Sequence, residues 1–309
     1  MEYTFYICRF VQFTAAMAVF GSTAFRFYAF NDKTASAILF EAFDKWLRRL
    51  AIAAALLALI SALVLLLCQS ALMAGSPAAA LDPVTVSAGL FETRFGQVWS
   101  WHLVIALILV LACLGAPRWR HSAILVLSLL LLASLAWIGH AAMGEGIARI
   151  AHELNQTVHL LAAGLWLGGL VPLGWWLRRA STKQDDPGIT LTRDVIRHFS
   201  RMGYVAVGVI ALSGAVNTLL LVGDLGAFAG TPYGRLLGVK ILLFLAMAGI
   251  ALVNRLYIAP RVSSDPAALG VLCRTVGLEQ GLGLGILAVV SVLGTWPPAI
   301  HATMMPGAS

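Results

Sequence analysis

At 309 residues, 60% of them hydrophobic and only 11% charged, the chain is excluded from the ordinary soluble domains, in which about a quarter of residues are charged. The net charge of +7 does not point to nucleic acid, because the basic residues sit in short connections between apolar runs, where membrane topology accounts for them. The cysteines Cys8, Cys68, Cys113 and Cys273 are scattered without a C-x-x-C pair, which argues against a disulfide framework or a thiolate zinc site and for small buried residues in helices.

Crossing about 30 Å of hydrocarbon takes about 20 mainly apolar residues, and backbone groups in lipid must bond within their own segment. In chain order the predicted helical spans are 5–27, 47–69, 97–115, 122–142, 153–177, 202–222, 235–257 and 275–296. The first lacks a basic start and a small-residue cleavage site, so it reads as a span and not as a signal peptide. Gly75–Ser76–Pro77, Gly115–Ala116–Pro117, Thr231–Pro232–Tyr233–Gly234 and Pro297–Pro298 punctuate span ends. The longest connections, about 70–96 and 178–201, are too short and too mixed to build a core of their own. The expectation is an all-α polytopic membrane bundle of eight helices, forming a single transmembrane domain over 1–309.

Sixteen of the 21 Lys and Arg fall on one side of this arrangement, and Arg9, Arg94, Arg149, Arg235 and Lys240 on the other. Cytoplasmic connections carry the excess of basic residues. The richer side is therefore expected in the cytoplasm, with both termini outside.

The histidines divide unevenly on this topology. His102, His140, His152, His159 and His301 fall on or near the outer side, with Met143, Met304 and Met305 nearby, while His121 and His198 sit among arginines at cytoplasmic ends and read as interfacial. An outer group of imidazoles and thioethers suits copper: imidazole binds either oxidation state and thioether favours Cu(I). By helical rise, His102 is about 8 Å inside its span and His159 about 9 Å, so the two are at matching depth. His140 closes the fourth span, with Met143 one turn on if the helix continues. His152 shares a face with His159 but lies about 10 Å from it along the axis, too far to share one ion, and suits an entry ligand or part of a second site. The candidate metal ligands are thus His102, His140 and His159, with His152 and Met143 beside them. The residues leave a second reading open, in which these histidines are interfacial hydrogen-bonding groups.

Other residues carry weaker signals. Ionisable groups inside spans suggest function, but Lys240 and Glu279 lie at different depths and each can snorkel to its nearer interface. Glu279, Gln280, Asn254 and Asn217 are candidates for a polar route inward. Met17 and Met247, near mid-membrane, are candidate Cu(I) relays or packing residues. The Trp166–Leu167–Gly168–Gly169 stretch reads first as a site of close helix approach or a kink. Trp99, Trp101, Trp137 and Trp296 fall where an interfacial aromatic belt is expected.

The stretch from Asn155 through His159 and Gly164–Leu165–Trp166–Leu167–Gly168–Gly169 to Leu170 resembles the signature of the copper resistance D (CopD) family of inner-membrane proteins. After it, in order, come Arg197–His198–Phe199–Ser200, Leu212–Ser213–Gly214–Ala215–Val216–Asn217, Thr231–Pro232–Tyr233–Gly234, Lys240, Asn254–Arg255, Glu279 and Trp296–Pro297–Pro298. The resemblance covers roughly 135–300; the first 130 residues agree in span number. It implies eight spans in a bacterial inner membrane, copper moved inward from the periplasm, and a periplasmic copper-binding partner of the CopC type. An acidic residue expected shortly before His159 is replaced here by Asn155–Gln156.

Two other functions compete with copper transport. One is a b-type haem redox protein, since histidines on neighbouring spans can ligate iron. His121 and His140 are about 28 Å apart along one span, which leaves room for an outer haem only. The other is a non-transporting scaffold that delivers copper to a respiratory oxidase. The chain contains no phosphate-binding loop, nucleophile elbow or metalloprotease helix motif, so it is expected not to be an enzyme.

Overall fold

The computed structural model describes residues 2–30, 37–115, 120–139, 145–180 and 186–300. Every element among them is helical, and eight helices are long and apolar enough to cross a membrane. In chain order the α-helices are α1 (Glu2–Ala29), α2 (Ala37–Met73), α3 (Pro83–Phe91), α4 (Arg94–Leu114), α5 (Arg120–Ser134), α6 (Gly146–Ala163), α7 (Gly169–Ala180), α8 (Asp186–Val222), α9 (Leu225–Gly230), α10 (Pro232–Val253) and α11 (Pro266–Leu293). A π-helical turn at Gly164–Gly168 joins α6 to α7 as one span, and another at Asn254–Ile258 prolongs α10.

Each predicted span corresponds to one of the eight long helices, but several helices outrun the hydrophobic stretch. Hydropathy marks where lipid begins, whereas caps mark where a helix does. Asp265 accepts from the Ala267 N–H and is followed by Pro266, so α11 starts well before its apolar run. Most of the connection expected at 178–201 is the first half of α8. Within 70–96, Asp82 caps α3 through Val84 N and Thr85 N, and Thr93 caps α4 through Gly96 N. The fourth span ends earlier than expected: α5 gives way to a 3₁₀ turn at Leu135–Trp137, Ile138 is extended, and Gly139 has φ +81°. A positive φ is outside the helical range and is favoured by glycine, so the helix ends before Gly139.

Helices in lipid gain little from burying apolar surface against each other, so close packing of small residues decides where they meet. In α2 the buried positions include Ala51, Ala54, Ala55, Ala58 and Ala62, at helical spacing, while Leu56, Leu57, Ile60 and Leu63 face outward. This alanine ridge packs on α1 and α4. The Trp166–Gly169 stretch is the site of close approach expected for it. A Cβ at Gly168 would collide with the Met17 carbonyl, and one at Gly21 with the backbone of Gly164 and Gly168. Ser22 Oγ donates to Gly168 O at 3.3 Å across this crossing.

The arginine-rich end holds an aromatic cluster in which Phe25, Phe30, Phe43 and Trp176 pack edge to face and Trp46 stacks on Trp175 at 5.2 Å. Nearby, Arg26 pairs with Asp44 at 2.9 Å.

Candidate functional site

His159 sits on α6, buried against α8. Its Nδ1 is 2.9 Å from Ser213 Oγ, and the single hydroxyl proton of Ser213 goes to Val209 O. With the hydroxyl so placed, Ser213 Oγ accepts from His159 Nδ1–H, and Nε2 keeps its lone pair. Gly214 lies against the imidazole, where a Cβ would be 3.5 Å from Cε1.

The His159 ring lines a chamber of about 510 Å³ inside the bundle, together with Phe13, Met17, Gln156, Trp166 and Lys240. Between α8 and α10 this chamber reaches the lipid-facing surface at Leu219 and Leu245. Toward the arginine-poor ends of the helices a smaller cavity of about 120 Å³ adjoins it. This vestibule is walled by Arg9, Gly139, His152, Asn217 and Tyr233, and it shares Phe13, Gln156, Gly214 and Lys240 with the chamber. Toward the arginine-rich side Met17 also lines a third cavity of about 290 Å³, with Trp175, Arg178 and Gln280.

Amide side chains hold α6 to α8 at the vestibule. Asn155 Nδ2 donates to Asn217 Oδ1 at 2.9 Å and to Ser213 O at 3.0 Å, and Asn217 Nδ2 donates to Gln156 Oε1 at 2.7 Å. His152 lines the same vestibule as Asn217. Asn155 and Gln156, which stand where the family resemblance leads one to expect a carboxylate, are thus the joint between two helices. The nearest carboxylate before His159 is Glu153, and it is buried and taken by Arg94 and by Arg149, the latter at 3.5 Å.

His102 has different surroundings. It is fully buried and stacks on Trp99 with ring centroids 4.6 Å apart. Its Nε2 is 2.8 Å from Gln12 Nε2 and its Nδ1 is 2.7 Å from Ser134 Oγ. The Gln12 amide must donate to Nε2, so Nδ1–H donates to Ser134, whose own proton goes to Leu131 O. Gln12 Oε1 in turn accepts from Ser61 Oγ. Both ring nitrogens are occupied, and this network ties α1, α2, α4 and α5 together.

The described residues thus separate two of the expected ligands, His102 into a closed network and His159 into the chamber wall. His152 lies along the same route as His159, in the vestibule. His140, Met143, His301, Met304 and Met305 lie outside the described residues. Among the described residues, no three His, Cys, Asp or Glu side chains come close enough to share an ion. Trp99 is not part of an aromatic belt: it is 2% exposed and its Nε1 donates to Ala62 O at 3.0 Å, whereas Trp101 is 70% exposed.

The polar residues proposed for an inward route fall at two ends of the bundle. Asn217 belongs to the vestibule, while Asn254 Nδ2 donates to buried Glu279 Oε1 at 2.6 Å in a cavity of about 260 Å³ near Arg255. Lys240 lies with His159, well away from that pair. Met247 is fully buried against Gly283, with Leu167 packed beside it, a packing role. The residues that sequence reading passed over are Gln12, Ser61, Ser134 and Ser213. Gln12 could have been found, since an uncharged amide in the middle of an apolar span needs a partner.

A family described as Copper resistance protein D-like, N-terminal domain, matches residues 1–150, and one described as Copper resistance protein D matches residues 193–293. Over 300 residues the chain is 31% identical to the inner membrane protein YebZ of Escherichia coli (strain K12), covering 96% of this chain and 99% of that one. It is 30% identical over 315 residues to Copper resistance protein D of Pseudomonas syringae pv. tomato, covering 96% and 97%. It is also 28% identical over 301 residues to Copper transport protein CutJ of Bacillus subtilis (strain 168), covering 94% of this chain and 52% of that one. No solved structure matches. The match at 1–150 extends the relationship over the half that sequence motifs tied to the family only by its number of spans. The chain belongs to the copper resistance protein D family.

Proposed function

We propose that this protein binds copper as cargo inside the bundle and passes it inward from the arginine-poor, periplasmic side of a bacterial inner membrane. The observation that carries this reading is the pair of adjoining cavities, with His152 in the wall of the outer and His159 and Met17 in the wall of the inner. A free imidazole nitrogen accepts copper in either oxidation state, and a thioether next along the route favours Cu(I). The names of two relatives, a copper resistance protein and a copper transport protein, support the choice of metal.

In this reading His159 is the primary ligand, oriented by Ser213. His140 and Met143, which follow the vestibule residue Gly139 in the sequence, are the further ligands of this reading. His102 enters only if copper displaces Gln12 from Nε2; otherwise it holds the first half of the bundle together. A periplasmic protein of the CopC type would deliver the ion to the vestibule. The chain acts as a binding and transport protein, and no enzymatic step is assigned to it.

The test is copper stoichiometry of the purified protein together with copper flux into sealed vesicles containing it alone. Wild type is expected to bind and transport, and His159→Ala to lose both while keeping its helical content and monodispersity. Undiminished stoichiometry in His159→Ala would remove the site, and binding without flux would favour a delivery scaffold.

A further inference from the structure

The vestibule carries a charge that a bare cation would not choose. Arg9 and Lys240 both line it, with His152 as a third basic group and Gln156, Asn217 and Thr218 as neutral neighbours. The Arg9 guanidinium lies beside the rings of Phe5 and Phe13, at 5.8 and 5.7 Å, and faces Gly294 near the end of α11. Its Nε is buried with no hydrogen-bond partner. Lys240 forms no ion pair among the described residues, whose bridges involve Arg26, Lys45, Arg94, Arg149 and Arg197.

Among the described residues, no carboxylate lines this cavity. The acidic groups at the same end are engaged elsewhere or face outward. Glu153 is held by Arg94 and Arg149, Asp224 accepts from Ala227 N at 2.8 Å, and Glu145 is exposed. In the sequence, residues 140–144 and 301–309 include no Asp or Glu side chain. Two cations facing one small cavity within a low-dielectric bundle repel each other strongly unless a counter-charge is present.

We propose that the vestibule is a binding site for one small monovalent anion, held by Arg9 and Lys240. A cavity of about 120 Å³ holds an anion of halide or formate size with a little water, and is too small for a bulky organic anion. Guanidinium and ammonium donors give charge-assisted hydrogen bonds to such an anion. The assignment rests on these two side chains and stands whether or not copper is the cargo. Its consequence for a cation bound at His159 is direct, because Lys240 walls both cavities: an anion in the vestibule offsets the positive field that the incoming ion meets.

The experiment uses copper-free full-length protein in a lipid-free maltoside detergent, titrated with sodium chloride, bromide or formate replacing sodium gluconate at constant ionic strength. A saturable rise in melting temperature of a few degrees is expected, as for any ligand that binds only the folded state. Lys240→Met and Arg9→Gln are each expected to weaken this response about tenfold or more, and Lys240→Arg to keep it. Because either variant could fold poorly, the chloride-35 NMR line width is also titrated on wild type, where specific broadening displaced by bromide is expected. No saturable response of wild type in either measurement, or an undiminished one in folded variants, overturns the site. A response to anionic phospholipid with none to halide or formate would assign the cleft to a lipid headgroup and overturn the small-anion assignment.

Discussion

Ser213 Oγ takes the Nδ1 proton of His159 at 2.9 Å while giving its own proton to the α8 backbone at Val209. With the hydroxyl so placed, it is the Nε2 lone pair of His159 that remains free to bind a metal. Removing the hydroxyl in Ser213→Ala leaves the imidazole free to rotate and change tautomer. The expected result is a copper affinity lower by about 10-fold or more, as for other groups that orient a metal-binding histidine. Isothermal titration on folded Ser213→Ala checks it, and unchanged affinity would mean that Ser213 does not orient the ligand.

His102 and His159 should respond oppositely to alanine. His102→Ala strands Gln12 in a buried site and opens a cavity beside Trp99, at a cost of about 2–4 kcal/mol of stability. Its copper stoichiometry should remain once the variant is folded at lower temperature. His159→Ala should lose copper with a smaller change in thermal stability. Parallel melting curves and metal analysis separate the two.

The crossing of α1 with the π-helical turn leaves no room for a side chain. Gly168→Ala drives a methyl into the Met17 carbonyl and should cost about 3 kcal/mol or prevent assembly. Gly249→Ala, on α10 with open space around it, should change stability by less than about 1 kcal/mol. Comparing the two by detergent-resistant melting distinguishes tight packing from any general sensitivity to added methyl groups.

Glu153 clamps the start of α4 to α6 through Arg94. Arg94 is nearly half exposed, so its charge returns to water when the partner goes. Glu153→Ala should therefore cost only about 1 kcal/mol, and that cost should shrink in high salt. A cost several times larger, insensitive to salt, would show that Glu153 supports the vestibule in another way.

The eight spans, their order and the family motifs were legible in the sequence, because each depends on local averages. A window of apolar residues predicts a crossing whatever its neighbours do. The facing of each side chain depends on how each helix is turned about its axis, which a window does not contain. The π-helical turn at Gly164–Gly168 shows why: an extra residue in one turn rotates the whole of α7 by about 100° relative to α6, and nothing in local hydropathy records it. Equal depth made His102 and His159 look like partners. Gln12, 90 residues from His102 in sequence, is what holds that ring instead.

The amino-acid sequence by itself determined a membrane bundle, its spans and its kinship, since lipid imposes one solution on long apolar segments. Tertiary structure alone decided that His159 faces a chamber, that His102 is locked in a polar network, and that Arg9 and Lys240 meet at one cavity. Those outcomes arise from contacts between helices distant in the chain, where small residues and unpaired polar atoms set the rotation and register of each helix.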